Sequence, residues 1–146
     1  MDDFQLRIAP FDSLTPAELY EMIKARFNVF YLEQQCVYPD LDDIDYHAIH
    51  LALFRDRRVI AYARLFFDAA TSEWRIGRML TTERGKGLGK YLMLRALDEA
   101  KRQGADSVHI DAQTHAVTFY RQLGFRVTSD IFIEAGIPHV KMLREL

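Results

Sequence analysis

Cysteine is nearly absent from this sequence. Cys36 is the only cysteine among 146 residues, so the chain cannot form an internal disulfide. This shortage is typical of proteins that fold in a reducing compartment, and we expect a cytoplasmic protein. A lone cysteine in an apolar and aromatic neighbourhood is more often a packing residue than a reactive thiol.

The sequence also lacks an excess of charge and a long apolar run. The formal net charge is −2 and the isoelectric point is about 6.2, which argues against a nucleic-acid-binding surface, because such surfaces are strongly basic. No stretch approaches the roughly 18 apolar residues of a membrane-spanning helix. Met1–Asp3 has neither the positive charge nor the apolar core of a signal peptide. We therefore expect no nucleic acid and no membrane among its partners.

Repeats, low-complexity tracts and linkers are missing as well. A chain of 146 residues that is 49% hydrophobic has the size of one domain. A chain of this length can bury roughly two-thirds of its unfolded surface. We expect a single domain over residues 1–146.

Periodicity and capping signals predict the order of the elements. Alternation over Phe4–Ala9 predicts a first strand, and Thr15, Pro16 and Glu18 form the start signal of a helix that runs to about Tyr31. Next come three antiparallel strands, a central helix, a strand parallel to its predecessor, a short helix and late strands. Their predicted places are Leu51–Phe54, Val59–Phe67, Trp74–Thr81, the helix ending before Gly104, Ser107–Ala112, His115–Leu123, Phe125–Val127, Ile131–Ile133 and Val140–Leu143.

A glycine-rich turn before the central helix carries the strongest functional signal. This glycine loop, residues 84–89, has glycine at positions 85, 87 and 89. The first turn of a helix has unpaired N–H groups and the positive end of the macrodipole, so it can hold a phosphate or pyrophosphate. Arg84 and Lys86 add positive charge at the same place. The glycines alone are equally consistent with a tight strand-to-helix turn.

Two motifs in the sequence resemble those of a known family. The spacing Arg84-x-x-Gly87-x-Gly89 resembles the acyl-CoA pyrophosphate loop of the GCN5-related N-acetyltransferases (GNAT), and it differs from the dinucleotide G-x-G-x-x-G. Residues 113–125, Q-T-H-A-V-T-F-Y-R-Q-L-G-F, resemble the family's N-x-x-A-x-x-[LF]-Y-x-x-x-G-F block, with Gln113 where asparagine is commoner. The order of elements is also that of the family. Segments 26–35, 76–79 and 136–142 are similar to the ElaA-type branch.

The resemblance implies a fold and an activity. The fold would be α/β (α+β), with a mixed, mostly antiparallel central sheet and flanking helices. The activity would be transfer of an acetyl group from acetyl-CoA to the amine of a small molecule or peptide, without a metal, and Tyr120 would protonate the departing thiolate. Members of the family also form homodimers, and exposed C-terminal strands could pair in this way here. The residues expected to bind acetyl-CoA are Met79, Leu80 and Thr81 through their main chain at a splayed or bulged strand, Arg84, Gly85, Lys86, Gly87, Leu88 and Gly89 in the loop, and Gln113 and Phe119.

The proton acceptor for the amine stays open among several residues. An alkylamine with a pKa near 10.4 is about 99.9% protonated at pH 7, so a group must take its proton, directly or through water. The titratable candidates in the matching segments are Glu33, His50, Asp111 and His115, of which we favour Glu33 and His50 as catalytic. Each has a structural alternative: Glu33 in a pair with an arginine, His50 with its ring hydrogen-bonded within a strand, His115 at a helix start.

Four aspartates, at positions 40, 42, 43 and 45, form an acidic segment. Near a cleft they would attract a cationic amine or guanidinium, and the alternative is a solvated acidic loop. A calcium loop is disfavoured because D-L-D-D-I-D lacks the turn glycine and Leu51 stands where the bidentate acid belongs.

Other functions fit parts of the sequence. The N-terminal half, up to Ala63–Leu65, also resembles acyl-homoserine-lactone synthases, which use an acyl carrier protein and S-adenosylmethionine, although the intact R-x-x-G-x-G loop favours free CoA. The fold could instead retain CoA as a ligand and work as a non-catalytic sensor or interaction module. A metal-dependent hydrolase that uses His47, His50 and the aspartates is a further alternative.

Overall fold

The computed structural model describes residues 3–146; Met1 and Asp2, which entered the argument against a signal peptide, lie outside the described residues. The helices are α1 (Pro16–Arg26), continued by a π-helix over Phe27–Glu33, α2 (Leu88–Arg102) and α3 (Val117–Gln122). The strands are β1 (Gln5–Pro10), β2 (Ile49–Arg55), β3 (Arg58–Asp68), β4 (Glu73–Thr81), β5 (Ser107–Gln113), β6 (Arg126–Val127), β7 (Phe132–Glu134) and β8 (Ile137–Glu145). Short 3₁₀ turns lie at Phe11–Ser13, Ile44–His47 and Thr114–Ala116. Within residues 3–146, no helix is both long and apolar enough to cross a bilayer.

Helix α1 begins with the capping box that the sequence predicts. Thr15 Oγ1 accepts a hydrogen bond from the Glu18 backbone N–H at 3.1 Å, and Glu18 Oε1 accepts one from the Thr15 N–H at 2.9 Å. Pro16 occupies the first helical position. The helical path passes the expected end near Tyr31 and continues in π geometry to Glu33.

A mixed sheet of eight strands forms the centre of the molecule. Its order is β1-β2-β3-β4-β5-β8-β6, with β7 paired to β8. Neighbouring strands are antiparallel except β4 and β5, which are parallel, as predicted from the helix that joins them. β4 and β5 share the residue pair Arg75 and His109. Among the described residues β4 and β5 form no further pair. The main-chain groups of Gly77–Thr81 that point away from β3 therefore face no strand.

Strand β4 also contains a bulge. Its pairing with β3 runs from Arg64 opposite Gly77 to Tyr62 opposite Leu80, so β4 uses one more residue than β3 over this step. Arg78 lies in the bulge and has a φ of +54°, in the left-handed region that non-glycine residues rarely adopt. The bulge falls where the sequence analysis expects an irregular strand ahead of the glycine loop.

The two faces of the sheet hold separate apolar clusters. Because side chains alternate between faces along a strand, Leu51 and Leu53 pack on the α2 face, whereas Ala52 packs on the α1 face. Burial of an aliphatic side chain contributes about 1.5–3 kcal/mol, so packing fixes both helices on the sheet. One side of α2 faces the sheet and is buried, with Leu88, Leu92, Ala96 and Ala100 each at most 3% exposed. The architecture thus confirms the predicted single domain with a mixed, mostly antiparallel sheet and flanking helices.

Candidate active site

The glycine loop connects β4 to α2 with an open main chain. Gly85 and Gly87 have φ values of +76° and +73°, and beyond the adjoining residues no atom lies within 4 Å of the place where either would carry a Cβ. Gly87 is the N-cap of α2, and its carbonyl accepts the first hydrogen bond of the helix, from Tyr91 N–H at 3.0 Å. The N–H groups of the first turn therefore lack partners within the helix, and the space over the loop can accept an anion such as pyrophosphate.

Gly89, in contrast, is closely surrounded. A Cβ at this position would lie 3.2 Å from Met79 Cε, 3.4 Å from Phe119 Cζ and 3.5 Å from Thr81 Cγ2. The first turn of α2 thus approaches both β4 and α3 because residue 89 has no side chain. The structure brings together Met79, Thr81, Gly89 and Phe119, which the sequence analysis assigns to coenzyme binding from three separate segments. Leu80 points to the opposite face and is buried in the α1 cluster.

Tyr120 lies beside this group on α3. Its ring packs edge-on between Phe119 and Phe125, with centroid distances of 5.1 and 5.7 Å. Burial raises the pKa of the Tyr120 phenol to about 12. Its hydroxyl hydrogen-bonds to no protein group among residues 3–146. The phenol therefore keeps its proton at neutral pH and has it available for a bound molecule.

Glu33 and Arg84 form an ion pair between the end of the π-helix and the glycine loop. Glu33 Oε1 lies 2.6 Å from Arg84 Nη2, and the two side chains are 53% and 75% exposed. A pair with an arginine is the structural alternative that the sequence analysis gives for Glu33. Exposed pairs contribute only about 0–1 kcal/mol, so another anion can replace the carboxylate at Arg84.

His50 lies in the interior on β2 and is 1% exposed. Its Nε2 is 2.9 Å from the Asp45 carbonyl oxygen, and its Nδ1 is 2.6 Å from the Tyr62 hydroxyl. Because a carbonyl only accepts, Nε2 carries the hydrogen and Nδ1 accepts from Tyr62. Burial lowers the pKa of His50 below its usual value. A neutral ring with both nitrogens occupied has no free lone pair to accept a proton from an incoming amine. His50 therefore has the structural role, with its ring hydrogen-bonded within the fold, and not the catalytic one.

The carboxyl end of β5 carries the remaining candidates. Gln113 donates to Gln34 Oε1 at 3.1 Å and accepts from His115 Nε2 at 2.6 Å. Asp111 Oδ1 pairs with Arg75 Nη2 at 2.9 Å and with Lys141 Nζ at 3.4 Å. Gln113 therefore links β5 to the chain that leaves the π-helix, and the Asp111 carboxylate is shared by two cations.

Three of the four aspartates in the acidic segment are not free carboxylates for a cationic substrate. They belong to an arginine–aspartate network, which consists of Arg26, Arg64, Arg78, Asp40, Asp42 and Asp45, whereas Asp43 is exposed and lies outside the network. Arg26 binds Asp40 at 2.9 Å and Asp45 at 2.7 Å. Arg64 binds Asp42 at 2.6 Å and Asp45 at 3.0 Å, and Arg78 binds Asp40 at 2.7 Å. Three positive charges thus neutralise three negative ones, which corrects both expectations for Asp40, Asp42 and Asp45, and only Asp43 remains a solvated carboxylate.

Two members of the network are almost completely buried: Arg26 is 1% and Arg64 is 2% exposed. Burial alone would raise the pKa of Asp45, but hydrogen bonds from Arg26 and the charges of Arg26 and Arg64 lower it below its usual value. The pKa of Asp42 is lowered in the same way by Arg64. The two carboxylates are therefore ionised at neutral pH.

Sequence reasoning missed these arginines, although a signal was present. Arg26 follows Met22 and Ile23 at helical spacing on the apolar side of α1. Arg64 lies between Ala63 and Leu65 in the apolar run of β3. Arginine in such positions is rarely buried without a partner, and an acidic segment lies nearby in the chain. Gln34 had no comparable signal, because its contact with Gln113 joins residues 79 positions apart.

Other site types find less support in the geometry. Within the part of the chain that the structure describes, no cluster of three or more His, Cys, Asp or Glu side chains could hold a metal ion. Two cavities, of about 430 and 540 Å³, lie away from Tyr120 and include no residue of the glycine loop. Of the residues that the sequence analysis selects, Met79, Thr81, Gly89 and Phe119 lie together at the start of α2, whereas His50 and Leu80 are buried elsewhere.

Comparisons with known proteins agree with this geometry. A family model described as an acetyltransferase (GNAT) domain matches residues 12–146. A UPF0039 protein of Schizosaccharomyces pombe is 41% identical over 141 residues, which is 93% of each chain. The crystal structure of Escherichia coli ElaA superposes with a TM-score of 0.92 at 30% identity, over 98% of this chain and 100% of that one. An acyl-CoA N-acyltransferase from Pseudomonas aeruginosa superposes with a TM-score of 0.89 at 35% identity, over 97% and 99% of the two chains.

Proposed function

The chain belongs to the GNAT acetyltransferase family, and on that premise we propose that it transfers an acetyl group from acetyl-CoA to the amine of a small molecule or peptide. The observation that carries the proposal is the contact of Gly89 with Met79, Thr81 and Phe119 beneath an open glycine loop. This contact joins a helix start that is open to an anion, a bulged strand and the helix of Tyr120 in one place. A thioester donor needs all three.

The glycine loop is the proposed pyrophosphate site. N–H groups in the first turn of α2 donate to phosphate oxygens, and the open space over Gly85 and Gly87 accommodates them. Arg84 exchanges Glu33 for phosphate, and Lys86 adds a second positive charge. Leu88 is buried and contributes through its main chain only, while Gln113 and Phe119 border the path towards the sulfur.

Main-chain N–H groups in Met79–Thr81 are the proposed donors to the thioester carbonyl. Acetyl-CoA supplies the activated acyl group. A preorganised donor to a developing oxyanion is worth roughly 3 kcal/mol in a site that excludes water. The bulge leaves Arg78 and Met79 without partner residues in β3, and β4 pairs with β5 at Arg75, before the bulge, so N–H groups remain for such a role.

Tyr120 is the proposed general acid for the departing sulfur. Its raised pKa ensures that the proton is present at neutral pH and also makes the phenol a weaker acid. Because the hydroxyl has no partner among residues 3–146, no hydrogen bond has to break before the proton moves.

Glu33 is our choice for the proton acceptor. It is the more exposed of the two candidate carboxylates, and it lies next to the glycine loop through Arg84. Asp111 is held by two cations, and both nitrogens of His50 are occupied. When Arg84 turns to phosphate, Glu33 can accept a proton from the amine or from an intervening water. Replacement of Glu33 by Gln should therefore lower turnover by about 10²–10⁴-fold.

Titration calorimetry with acetyl-CoA, followed by a thiol-release assay over a panel of amines, tests the proposal. We expect saturable coenzyme binding and amine-dependent release of CoA for at least one acceptor. A chain that binds acetyl-CoA but acetylates no amine would be a CoA-binding sensor, and one that responds only to an acyl carrier protein would resemble the lactone synthases. Binding of neither donor would contradict the proposal.

A further inference from the structure

The β4 bulge is held in an unfavourable backbone conformation. Arg78 has a φ of +54°, and an L-residue in this region is strained because its Cβ approaches a neighbouring carbonyl. A strained residue persists only where surrounding contacts determine its conformation. The contacts of the Arg78 side chain therefore bear directly on the geometry of the adjacent main chain.

Asp40 makes the closest of these contacts. Arg78 Nε donates to Asp40 Oδ1 at 2.7 Å, and Arg78 Nη2 donates to the Asp40 carbonyl oxygen at 3.0 Å. Nη2 reaches Asp42 Oδ2 only at 3.4 Å. The guanidinium is thus bound at two points to a single residue, which fixes its direction as well as its position.

Asp40 is itself anchored to a buried part of the molecule. Its second carboxylate oxygen accepts from Arg26 Nε at 2.9 Å, and its carbonyl oxygen also accepts from Arg26 Nη2 at 2.9 Å. Arg26 is 1% exposed at the end of α1 and also binds Asp45. Asp40 therefore connects the rigid end of α1 to the bulge through the same two groups, its carboxylate and its carbonyl.

We propose that Asp40 is a positioning residue, which holds Arg78 so that the main-chain N–H groups of the bulge point at the acyl carbonyl. Asp42 has a different role, because it binds Arg64 through two oxygens, at 2.8 and 2.6 Å, and barely touches Arg78. Loss of Asp42 would loosen the network without releasing the bulge. Loss of the Asp40 charge would let Arg78 relax.

The inference rests on the proposed function, and it makes a statement about binding that requires no acceptor. An acyl carbonyl that accepts a bulge N–H binds more tightly than a thioether of the same size. One neutral hydrogen bond corresponds to a ratio of about 2–12-fold. We therefore expect acetyl-CoA to bind more tightly than S-ethyl-CoA, which has the same two carbons but no carbonyl oxygen, and Asp40→Asn to bring the two dissociation constants close to each other.

Calorimetric titration of both compounds into wild type, Asp40→Asn and Asp42→Asn is the test, with thermal unfolding of each variant alongside. Asp42→Asn is the matched control, because it removes the same charge from the same network, and it should keep the wild-type ratio. A reduced ratio in both variants would indicate general loosening and overturn the inference, as would an unchanged ratio in Asp40→Asn.

A rescue experiment separates positioning from folding. Glycine adopts a φ near +54° without strain, so Arg78→Gly in the Asp40→Asn background should restore much of the ratio. If it does not, Asp40 does not act through Arg78, and the inference is wrong. A wild-type chain that binds neither compound would refute the proposed function and this inference together, whereas binding of both with equal affinity would refute the inference alone.

Discussion

Around the glycine loop, charged side chains are exposed and the main chain does the proposed work. Asp40, Asp42 and Asp45, in contrast, belong to a network of six charged side chains in which two arginines are buried. Arg84 is 75% exposed in its pair with Glu33, but Arg26 and Arg64 are at most 2% exposed. In the first region, Arg84 can exchange Glu33 for a negatively charged group of a ligand. The second is arranged to keep its partners, and it determines the shape of the strand next to the site.

Asp45→Ala should reveal this difference most strongly. Asp45 binds both Arg26 and Arg64, and its removal leaves two buried guanidinium groups short of a partner. Breaking a buried ion pair from one side costs about 3–5 kcal/mol, and we expect a loss of that size in the free energy of unfolding, measured with urea. Asp98→Ala on the exposed side of α2 is the control, with a change within about 0.5 kcal/mol. A loss below about 1 kcal/mol at Asp45 would remove the contrast between the two regions.

Tyr120→Phe should act on chemistry and leave binding alone. We expect turnover with a good amine substrate to fall about 10–1,000-fold, because the substitution removes a proton donor. The dissociation constant of acetyl-CoA, measured by calorimetry, should change little, since the ring keeps its packing against Phe119 and Phe125. Unchanged turnover would exclude Tyr120 as the acid.

Gly87→Ala tests whether the glycine loop binds by its main chain. The φ of +73° imposes a strain of about 1–2 kcal/mol on alanine, and the added methyl group would project into the open space. Gly136→Ala is the matched control, because Gly136 has a φ of +75° and equally free surroundings in the β7–β8 turn. Both variants should lose similar stability, but only Gly87→Ala should weaken coenzyme binding, by about 3–10-fold. Equal coenzyme affinity in the two variants would argue against a phosphate site at the loop.

The pH dependence of stability should report the buried His50. Burial lowers its pKa in the folded state below the ordinary value of 6.5, so the unfolded chain binds the proton more readily. The free energy of unfolding should therefore decrease as the pH falls below about 6.5. Urea titrations at pH 7.5 and pH 5.5 should show this decrease in wild type and a smaller one in His50→Gln. An equal decrease in the free energy of unfolding in both proteins would place the titrating group elsewhere.

Several parts of the molecule could be predicted from local pattern. The capping box at Thr15, the inner side of α2 and the parallel placement of β5 follow from short-range signals, because each depends on residues close together in the chain. The glycine loop is equally local: the positive φ of Gly85 and Gly87 and the helix start at Leu88 lie within a few positions of one another. Because these features depend on residues close together in the chain, a short family motif is enough to predict them.

The sequence by itself determined the order of elements, the glycine loop and the place of Tyr120 on a short helix, since these depend on periodicity, caps and backbone freedom. The tertiary structure alone decided the partners of the charged side chains. Arg78 meets Asp40 across 38 positions, and Arg84 meets Glu33 across 51. It also decided that His50 is enclosed and that Asp45 is neutralised. The physical reason is that an ion pair or a buried ring depends on which distant segments the fold brings within about 3–4 Å, and no local pattern specifies that distance.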